Sequence, residues 1–262
     1  MSGERVTLVV RNGIADVRLA RPEKMNALDP AMFDALSAMI ARLATEPGLR
    51  VVVLSGEGKA FCAGLDMASL QGGLEAVDIH ARSHGLANRF QDVAWGWRTL
   101  PVPVIAAVHG IAFGGGLQIL AGADIRIAQG GTRFSVMESK WGLVPDMAGM
   151  ALWRGTVRDD ILRACVYTAR EFQADEAESS GFVTRVSAEA VNDAFALARQ
   201  IAERSPHAIR GAKRLLNAMA DDDASTLLAK ESEEQAKLLF KPNQQEAVQA
   251  ILENRPPRYP EE

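Results

Sequence analysis

The chain has few of the residues that mark several large classes of protein. Among its 262 residues are only two cysteines and four histidines, and the net charge is only −4. Two cysteines argue against a disulfide framework and favour a reducing compartment. The weak negative charge disfavours a nucleic-acid partner, and no apolar run reaches the roughly 18 residues that span a membrane. Because "MSGERVTLVV" also lacks a signal-peptide core, we expect a cytoplasmic protein that does not act at a membrane.

Strands and helices are predicted to alternate along most of the chain. "VTLVVRNGIADVRLA" predicts a hairpin, because two strand-like runs flank an Asn-Gly turn. A helix is predicted over 28–44, with Asp29 as its N-cap and Pro30 at the first helical position. The other predicted elements are strands at 49–56, 102–110, 123–128, 132–136 and 182–187, and helices at 85–100 and from about Thr156. This alternation predicts an α/β fold.

The pattern becomes helical towards the C-terminus. Helices are predicted at 188–204, 206–219, 223–240 and 243–254. We therefore divide the chain into an α/β core, 1–200, and a helical region, 201–262. The helical region carries apolar residues such as Leu227, Leu228, Leu238 and Leu239. They form more apolar surface than a short appendage can bury on itself, which favours packing against another subunit over packing on the chain's own core.

Several familiar motifs are incomplete. "GEGKAF" lacks the first glycine and the Ser or Thr of a phosphate loop, and Ile119 stands where a dinucleotide-binding motif has its third glycine. His80 and His84 have the spacing of metal ligands on a helix, but no further ligand is suitably spaced, so we predict no metal site. Cys62 is interpreted as a small buried residue and not as a nucleophile.

Two segments remain, and each combines a buried strand, a glycine-bearing turn and an apparent helix start. They are "VVVLSGEGKAFCAGLD" and "VPVIAAVHGIAFGGGLQ". Glycine lets a ligand approach the backbone, and a helix start offers unpaired N–H groups. Two such groups aimed at one point form an oxyanion hole. Gln118 follows the second turn inside an apolar run, where a buried amide needs hydrogen-bond partners.

Four segments together resemble the crotonase superfamily, also called the enoyl-CoA hydratase/isomerase family. They are "RPEKMNALDPAM", "GKAFCAGLDM", "PVPVIAAVHGIAFGGGLQ" and "FSVMESKWGLVPD", in this order, within about residues 20–190. The resemblance implies a spiral core of ββα units, a C-terminal helical trimerisation region, and a homotrimer or dimer of trimers. It also implies an acyl-CoA thioester as substrate. Coenzyme A is then part of the substrate, and no separate cofactor is expected.

The resemblance also assigns roles to individual residues. Ala63 and Gly115 are expected to donate their backbone N–H groups to the thioester oxygen. Lys24 and Lys59 are expected near the phosphates or adenine of coenzyme A. The other positions expected to contact substrate are Gly64, Leu65, Asp66, Gly114 and Trp141. Aromatic residues of the predicted helix at 85–100, namely Phe90, Trp95 and Trp97, match the region that shapes the acyl pocket in relatives.

The acid–base residues differ from those of the family's hydratases. By this resemblance, the hydratases of the family have one glutamate at the position of Gln118 and a second glutamate at the position of Glu138. Glutamine cannot accept a proton at neutral pH, and a single carboxylate at Glu138 is similar to the family's enoyl-CoA isomerases. Asp146 stands where hydratases usually have glycine. The family's dienoyl-CoA isomerases are similar to this chain in having an aspartate at that position. Asp146 is either a second carboxylate or a turn residue beside Pro145.

We therefore predict double-bond isomerisation of an enoyl-CoA with Glu138 as the base. The alternative is hydration of a 2-enoyl-CoA, with Gln118 positioning the water. A non-catalytic binder of CoA esters, or an RNA-binding relative, is disfavoured by the acidic net charge and by the intact Glu138.

Overall fold

The computed structural model describes residues 4–68 and 78–259. Its strands are β1 (Val6–Arg11), β2 (Ile14–Leu19), β3 (Val51–Gly56), β4 (Val104–Val108), β5 (Ile111–Phe113), β6 (Ile125–Gln129), β7 (Arg133–Ser135), β8 (Phe172–Gln173) and β9 (Arg185–Ser187). Its helices are α1 (Pro30–Ala44), α2 (Arg89–Thr99), α3 (Gly115–Ala121), α4 (Gly149–Trp153), α5 (Asp159–Thr168), α6 (Ala174–Ser179), α7 (Ala190–Ala202), α8 (Pro206–Ala218), α9 (Ala224–Leu238) and α10 (Pro242–Leu252).

The described strands form two sheets. The larger has the order β1-β2-β3-β4-β6-β9, and the smaller has the order β5-β7-β8. Strands β1 and β2 form the predicted antiparallel hairpin, whereas β2, β3, β4, β6 and β9 run parallel. Asn12 and Gly13 have φ values of 52° and 73°. Both lie in the left-handed region that a two-residue hairpin turn requires.

Alternation of side chains divides the larger sheet between two cores. One face packs against small residues of α7 spaced four apart, in a cluster of Ala190, Ala194 and Ala198 with Val51, Val53, Ile105 and Ile127. The other face carries Val52, Leu54, Val104 and Ala106 into a larger core shared with α1, α2 and α3. The segments that leave β3 and β4, which are parallel neighbours, are thereby held at one edge of a rigid layer.

The ends of the helices follow their capping residues. Asp29 accepts a hydrogen bond from Met32 N at 2.8 Å, which confirms the predicted N-cap of α1. The predicted helix at 85–100 begins only at Arg89, because Asn88 caps it: Asn88 Oδ1 accepts from Gln91 N, and Gln91 Oε1 accepts from Asn88 N. This reciprocal capping box is a strong start signal, and the prediction placed the start of the helix four residues too early.

The predicted strand at 102–110 is interrupted before its end. Gly110 has a φ of 66°, and a Cβ atom there would lie 2.0 Å from Lys59 O. The chain turns at this glycine and continues as β5. There Cys62 N donates to Ile111 O at 3.1 Å and Phe113 N donates to Cys62 O at 3.1 Å. The two glycine-bearing segments of the sequence are thus paired side by side.

The start of the helical C-terminal region packs on the chain's own core. Lys213 of α8 is buried, and its Nζ donates to Val102 O and to Asp124 Oδ2, each at 2.8 Å. Asn217 Nδ2 donates to Arg98 O at 2.9 Å. The helix α8 is therefore held to the chain's own core by polar side chains, and the packing of the later apolar residues against another subunit stays a prediction.

The last two helices and the short connection between them leave large apolar side chains exposed on this chain. They include Leu228, Leu239, Phe240, Val248, Ile251 and Leu252, with Phe240 81% exposed and Ile251 79% exposed. No helix within 4–68 and 78–259 is long and apolar enough to cross a membrane.

Two lysines of the C-terminal region, each paired with an aspartate, allow a matched test of how α8 is held to the core. Lys213 is paired with Asp124 at 2.8 Å and its side chain is 5% exposed, whereas Lys230 is paired with Asp222 at 2.5 Å and its side chain is 46% exposed. Breaking a buried pair costs about 3–5 kcal/mol, and an exposed pair contributes about 1 kcal/mol or less. We expect Lys213→Met to lower the free energy of unfolding by about 3–5 kcal/mol. Lys230→Met should lower it by about 1 kcal/mol or less. Urea denaturation measures both. Equal losses would contradict this account of α8.

Candidate active site

A cavity of about 120 Å³ lies where the segments after β3, β5 and β7 meet. It is lined by Ala63, Gly64, Leu65, Met67, Gly114, Gly115, Met137, Glu138, Trp141, Leu143, Asp146 and Met147. The lining is mainly apolar. Among the described residues that line it, only Glu138 and Asp146 are ionisable, so any proton transfer inside it depends on these two carboxyl groups.

The first wall is a short ladder between Met25–Leu28 and 63–66. Ala63 N donates to Met25 O at 2.9 Å, Leu28 N donates to Gly64 O at 2.8 Å, and Asp66 N donates to Leu28 O at 3.0 Å. The expectation that Ala63 offers its N–H group to a ligand is therefore wrong, since that group is already bonded to Met25.

Leu65 provides the available donor in this wall. Its N–H group makes no hydrogen bond to any residue of the described chain. The Leu65 N–H group belongs to the same trans peptide unit as the Gly64 carbonyl, so the two groups point in opposite directions. Because Gly64 O faces Leu28 N in the ladder, the Leu65 N–H group points away from the ladder, and Leu65 lines the cavity.

The second wall is the glycine turn before α3. Gly114 has a φ of 48°, and its N–H group donates to Ser135 O at 2.9 Å. Gly115 is the first residue of α3, where N–H groups have no acceptor within the helix. A Cβ atom on Gly64 would lie 3.6 Å from Gly115 N and 2.7 Å from Phe113 O. The N–H groups of Leu65 and Gly115 therefore belong to touching backbone segments that border one cavity.

The two ends of the glycine run meet different constraints, because Gly114 has a φ that L side chains rarely adopt and Gly116 lies against a neighbouring segment. A Cβ atom on Gly116 would lie 2.6 Å from Cys62 O, so Gly116 lets the two paired segments touch. A Cβ atom on Gly114 would lie 3.4 Å from Glu138 Oε1 and 3.9 Å from Glu138 Oε2. The carboxyl group of Glu138 thus lies beside the backbone of the turn.

Gln118 is buried on α3 and is held in one orientation. Its Oε1 accepts hydrogen bonds from Met147 N at 2.9 Å and from Gly149 N at 3.0 Å. Because backbone N–H groups only donate, the amide oxygen must face them. The Nε2 group therefore faces Glu138 and donates to its Oε1 at 2.6 Å.

Glu138 is left with one carboxyl oxygen for a ligand. The residue is 9% exposed, and its Oε2 is buried without a hydrogen bond to any described residue. A buried polar atom without a partner is costly unless something binds it. Since the other oxygen is bonded to Gln118, Oε2 is the atom that can accept a proton from a substrate in the cavity.

Both carboxyl groups of the cavity titrate above their ordinary range. Burial raises the pKa of Glu138, and the nearby charge of Asp146 raises it further, although the hydrogen bond from Gln118 acts in the opposite direction. Burial also raises the pKa of Asp146. A raised pKa makes a carboxylate a stronger base, and a general base is most efficient when its pKa lies near the operating pH.

Other residues predicted from the sequence lie in different places. Gly64 and Trp141 line the cavity, with Trp141 at its mouth and 52% exposed. Asp66 accepts a hydrogen bond from Arg21 Nη1 at 2.8 Å, so its carboxylate is bound to the protein. Lys24 and Lys59 are exposed and do not line this cavity, and their contact with coenzyme A stays a prediction.

The aromatic residues of α2 do not line the described cavity. Phe90 and Trp97 are buried in the main core, where Phe90 packs edge-on against Phe33 with ring centroids 5.1 Å apart. Trp95 is partly buried against the same core. The helix α2 packs these rings against α1 and the sheet, and their contact with an acyl chain stays a prediction.

Asn26 holds the first wall of the site in place, and the sequence analysis did not identify it. It is fully buried with a φ of 55°. Its Nδ2 donates to Glu57 O at 3.0 Å, Ala60 O at 2.8 Å and Phe61 O at 3.1 Å. The signal was an asparagine beside a proline-containing turn, since asparagine tolerates positive φ. Its side chain holds the loop that leads from β3 to Leu65.

The Cys62 thiol is deeply buried beside the site. Burial raises the pKa of the Cys62 thiol to about 12, so it is not a nucleophile at neutral pH. Within the described part of the chain, no group of three or more His, Cys, Asp or Glu residues could hold a metal ion.

Residues 10–262 match the enoyl-CoA hydratase/isomerase family. The short-chain-enoyl-CoA hydratase of Clostridium acetobutylicum is 31% identical over 258 residues, which cover 97% of each chain. The mitochondrial Delta(3,5)-Delta(2,4)-dienoyl-CoA isomerase of Rattus norvegicus is 33% identical over 210 residues, which cover 76% of this chain and 64% of the relative. The crystal structure of an enoyl-CoA hydratase from Mycobacterium smegmatis is 32% identical, with a TM-score of 0.85 and coverage of 97% and 98%.

The fold and the cavity define an α/β enzyme with a buried carboxyl group beside unbonded backbone N–H groups. The chain belongs to the enoyl-CoA hydratase/isomerase family, the crotonase superfamily. The predicted family and the crotonase-like fold are thereby confirmed. Names of both hydratases and isomerases occur among the relatives.

The electrostatic coupling of the two carboxyl groups predicts a change in pH dependence. A base acts only when ionised, so kcat/KM should rise with pH through the pKa of Glu138, which is raised from 4.5. The negative charge of Asp146 disfavours ionised Glu138. Asp146→Asn should therefore move the acid limb of the kcat/KM profile to lower pH, by about one pH unit or less.

The matched control is Asp175→Asn on exposed α6, which should leave the limb in place. A limb that moves to higher pH in Asp146→Asn, or moves equally in both variants, would contradict the coupling.

Proposed function

We propose that this enzyme moves the double bond of an enoyl-CoA thioester, with Glu138 as its single base. The observation that supports the proposal is the hydrogen bonding of Gln118. Its oxygen is bonded to two backbone N–H groups, and its nitrogen is bonded to Glu138. The position that carries a second acid–base group in family hydratases is therefore a neutral support for Glu138.

The proposed reaction begins with the thioester oxygen between Leu65 N–H and Gly115 N–H. Glu138 Oε2 removes a proton from the α-carbon of a 3-enoyl-CoA, and the electron pair spreads onto the thioester oxygen and the γ-carbon. The same carboxyl group then returns the proton at the γ-carbon, which leaves a 2-enoyl-CoA. The two N–H groups stabilise the intermediate anion, and such donors contribute roughly 3–4 kcal/mol each.

The residues around Glu138 are suited to a reaction in which one carboxyl group both removes and returns the proton. Water is neither consumed nor released, so no second proton carrier is required. The apolar lining excludes water from the carboxyl group and keeps its pKa raised. A proton taken up by Glu138 is thereby retained for return to the substrate.

A 3,5-dienoyl-CoA is the second candidate substrate, favoured by one observation. Asp146 lines the same cavity as Glu138, and burial raises its pKa as well. In this reaction the carboxyl group of Asp146, beside a more distant part of the bound acyl chain, would return the proton at a carbon that Glu138 does not reach. The name of the rat relative is in keeping with this candidate.

Hydration of a 2-enoyl-CoA remains the alternative, in keeping with the name of the Clostridium relative. In that case Gln118 would hold the attacking water through its remaining N–H. The Gln118 contacts favour isomerisation, because this amide has no oxygen lone pair directed at the cavity.

Two further expectations belong to the proposal. Lys24 and Lys59 are assigned to the coenzyme A portion of the substrate, on the resemblance alone. The exposed apolar side chains of α9 and α10 are assigned to a homotrimer or a dimer of trimers, because so much apolar surface is unusual on a monomer.

A panel of 2-enoyl-, 3-enoyl- and 3,5-dienoyl-CoA esters, read by mass and absorbance, tests the reaction in the wild type and in Gln118→Glu. An isomerase gives products of unchanged mass. In Gln118→Glu, two carboxyl groups face each other where a hydrogen bond stood. This raises the pKa of Glu138, and isomerisation at neutral pH should fall by about tenfold or more.

The hydratase alternative makes the opposite prediction for the same variant. A second carboxylate beside the water would raise the yield of the hydrated product, which is heavier by one water. Efficient wild-type hydration that increases in Gln118→Glu would overturn the isomerase proposal.

A further inference from the structure

The guanidinium group of Arg21 crosses the gap between the two segments of the first wall. Its Nη1 donates to Ala27 O at 3.0 Å and to Asp66 Oδ2 at 2.8 Å. A guanidinium nitrogen of this kind carries two hydrogens, so one atom serves both segments at once. The side chains of Arg21 and Asp66 are only 11% and 14% exposed. The pair is therefore shielded from the solvent that weakens surface ion pairs.

Asp29 anchors Arg21 on the other side. Asp29 Oδ2 lies 3.6 Å from Arg21 Nη2 and accepts a hydrogen bond from Arg5 Nη2 at 2.8 Å. Burial opposes ionisation of Asp29, but the hydrogen bond from Arg5 lowers its pKa and keeps it charged. Since Asp29 also caps α1 through Met32 N, Arg21 is tied to the rigid start of a helix.

Leu65 lies between two fixed neighbours. Gly64, which precedes it, has a φ of 87°, and a Cβ atom there would lie 2.7 Å from Phe113 O. Asp66, which follows it, is held by Arg21 through its side chain and by Leu28 O through its N–H group. The Leu65 N–H group shares its peptide unit with Gly64 O, which accepts from Leu28 N at 2.8 Å, so the ladder to Leu28 sets its direction. Arg21 joins the two strands of this ladder, through Ala27 O on one side and Asp66 on the other.

We propose that Arg21 is a positioning residue of the oxyanion hole, acting through Asp66 to aim the Leu65 N–H group. This rests on the proposed function, which takes Leu65 and Gly115 as the two donors. Hydrogen bonds weaken steeply as their angle departs from linearity. Loss of one oxyanion donor lowers kcat by about 10²–10³-fold, and a misdirected donor accounts for part of such a loss.

The test compares Arg21→Met with Arg5→Met. Both variants remove a guanidinium group from Asp29, and Arg5 is the closer of the two to that carboxylate, but only Arg21 contacts Asp66. The first readout is kcat and KM on the thioester that the wild type converts. We expect Arg21→Met to lower kcat by about tenfold or more with a smaller change in KM, and Arg5→Met to lower kcat by less than about threefold, whatever its melting temperature.

The second readout needs no turnover. Butanoyl-CoA labelled with carbon-13 at the carbonyl has no double bond to move or hydrate, and the infrared stretching frequency of its bound carbonyl reports polarisation by the two donors. We expect a lowered frequency in the wild type and in Arg5→Met, and a smaller lowering in Arg21→Met. Should Arg21→Met not fold, Arg21→Lys keeps the charge, loses the shared donor geometry and should show the same direction of change.

The outcomes separate the two proposals. If the wild type polarises the carbonyl and the Arg21 variants do so equally, the positioning role is overturned while the oxyanion hole stands. Equal losses of kcat in the Arg21 and Arg5 variants also overturn it, since they mark a general loss of order around Asp29. If the bound carbonyl keeps its solution frequency in the wild type, the oxyanion hole itself fails and the role of Arg21 with it.

Discussion

The site depends on the direction of one buried amide. Gln118 presents its oxygen to Met147 N and Gly149 N and therefore presents its nitrogen to Glu138. That single constraint fixes the side chain of the base, stabilises its ionised form and leaves Oε2 as the oxygen that can meet a substrate. It also fixes the loop after β7, because residues 147 and 149 are held to α3 by the same amide oxygen.

The backbone supplies the rest of the chemistry. Two glycine-bearing segments touch along Cys62 and β5, and the touching is possible only because Gly64 and Gly116 have no Cβ atom. The N–H groups of Leu65 and Gly115 are then left unbonded at one cavity within the described chain. Asn26 and Arg21 hold the first of these segments from behind, through carbonyl groups and the carboxylate of Asp66. Residues outside the cavity therefore determine where its donors point.

Local patterns predicted the elements that local interactions decide. The Asn-Gly hairpin, the Asp29 cap and the glycine turn before α3 each depend on residues a few positions apart, and each was found where the sequence placed it. The carboxyl group of Glu138 was predicted through the family resemblance and lies in the cavity beside Gly114.

Non-local contacts explain what the sequence did not predict. Ala63 and Leu65 are both backbone donors in one short segment. Which of them is unbonded is decided by a ladder to residues 25–28, almost forty positions earlier. The orientation of Gln118 depends on N–H groups about thirty positions later, and the docking of α8 depends on carbonyl groups more than a hundred positions away. No periodicity or motif within the segments themselves carries this information.

The most direct test of the account is Glu138→Gln, assayed on the thioester that the wild type converts. Glutamine keeps the shape and can still accept the Gln118 hydrogen bond, but it cannot take up the α-proton. We expect turnover to fall by about 10²–10⁴-fold, the scale of general acid–base catalysis, with the affinity for butanoyl-CoA little changed. The control Glu231→Gln, on the exposed surface of α9, should retain wild-type turnover. Turnover of Glu138→Gln close to the wild-type rate would contradict the assignment of Glu138 as the base.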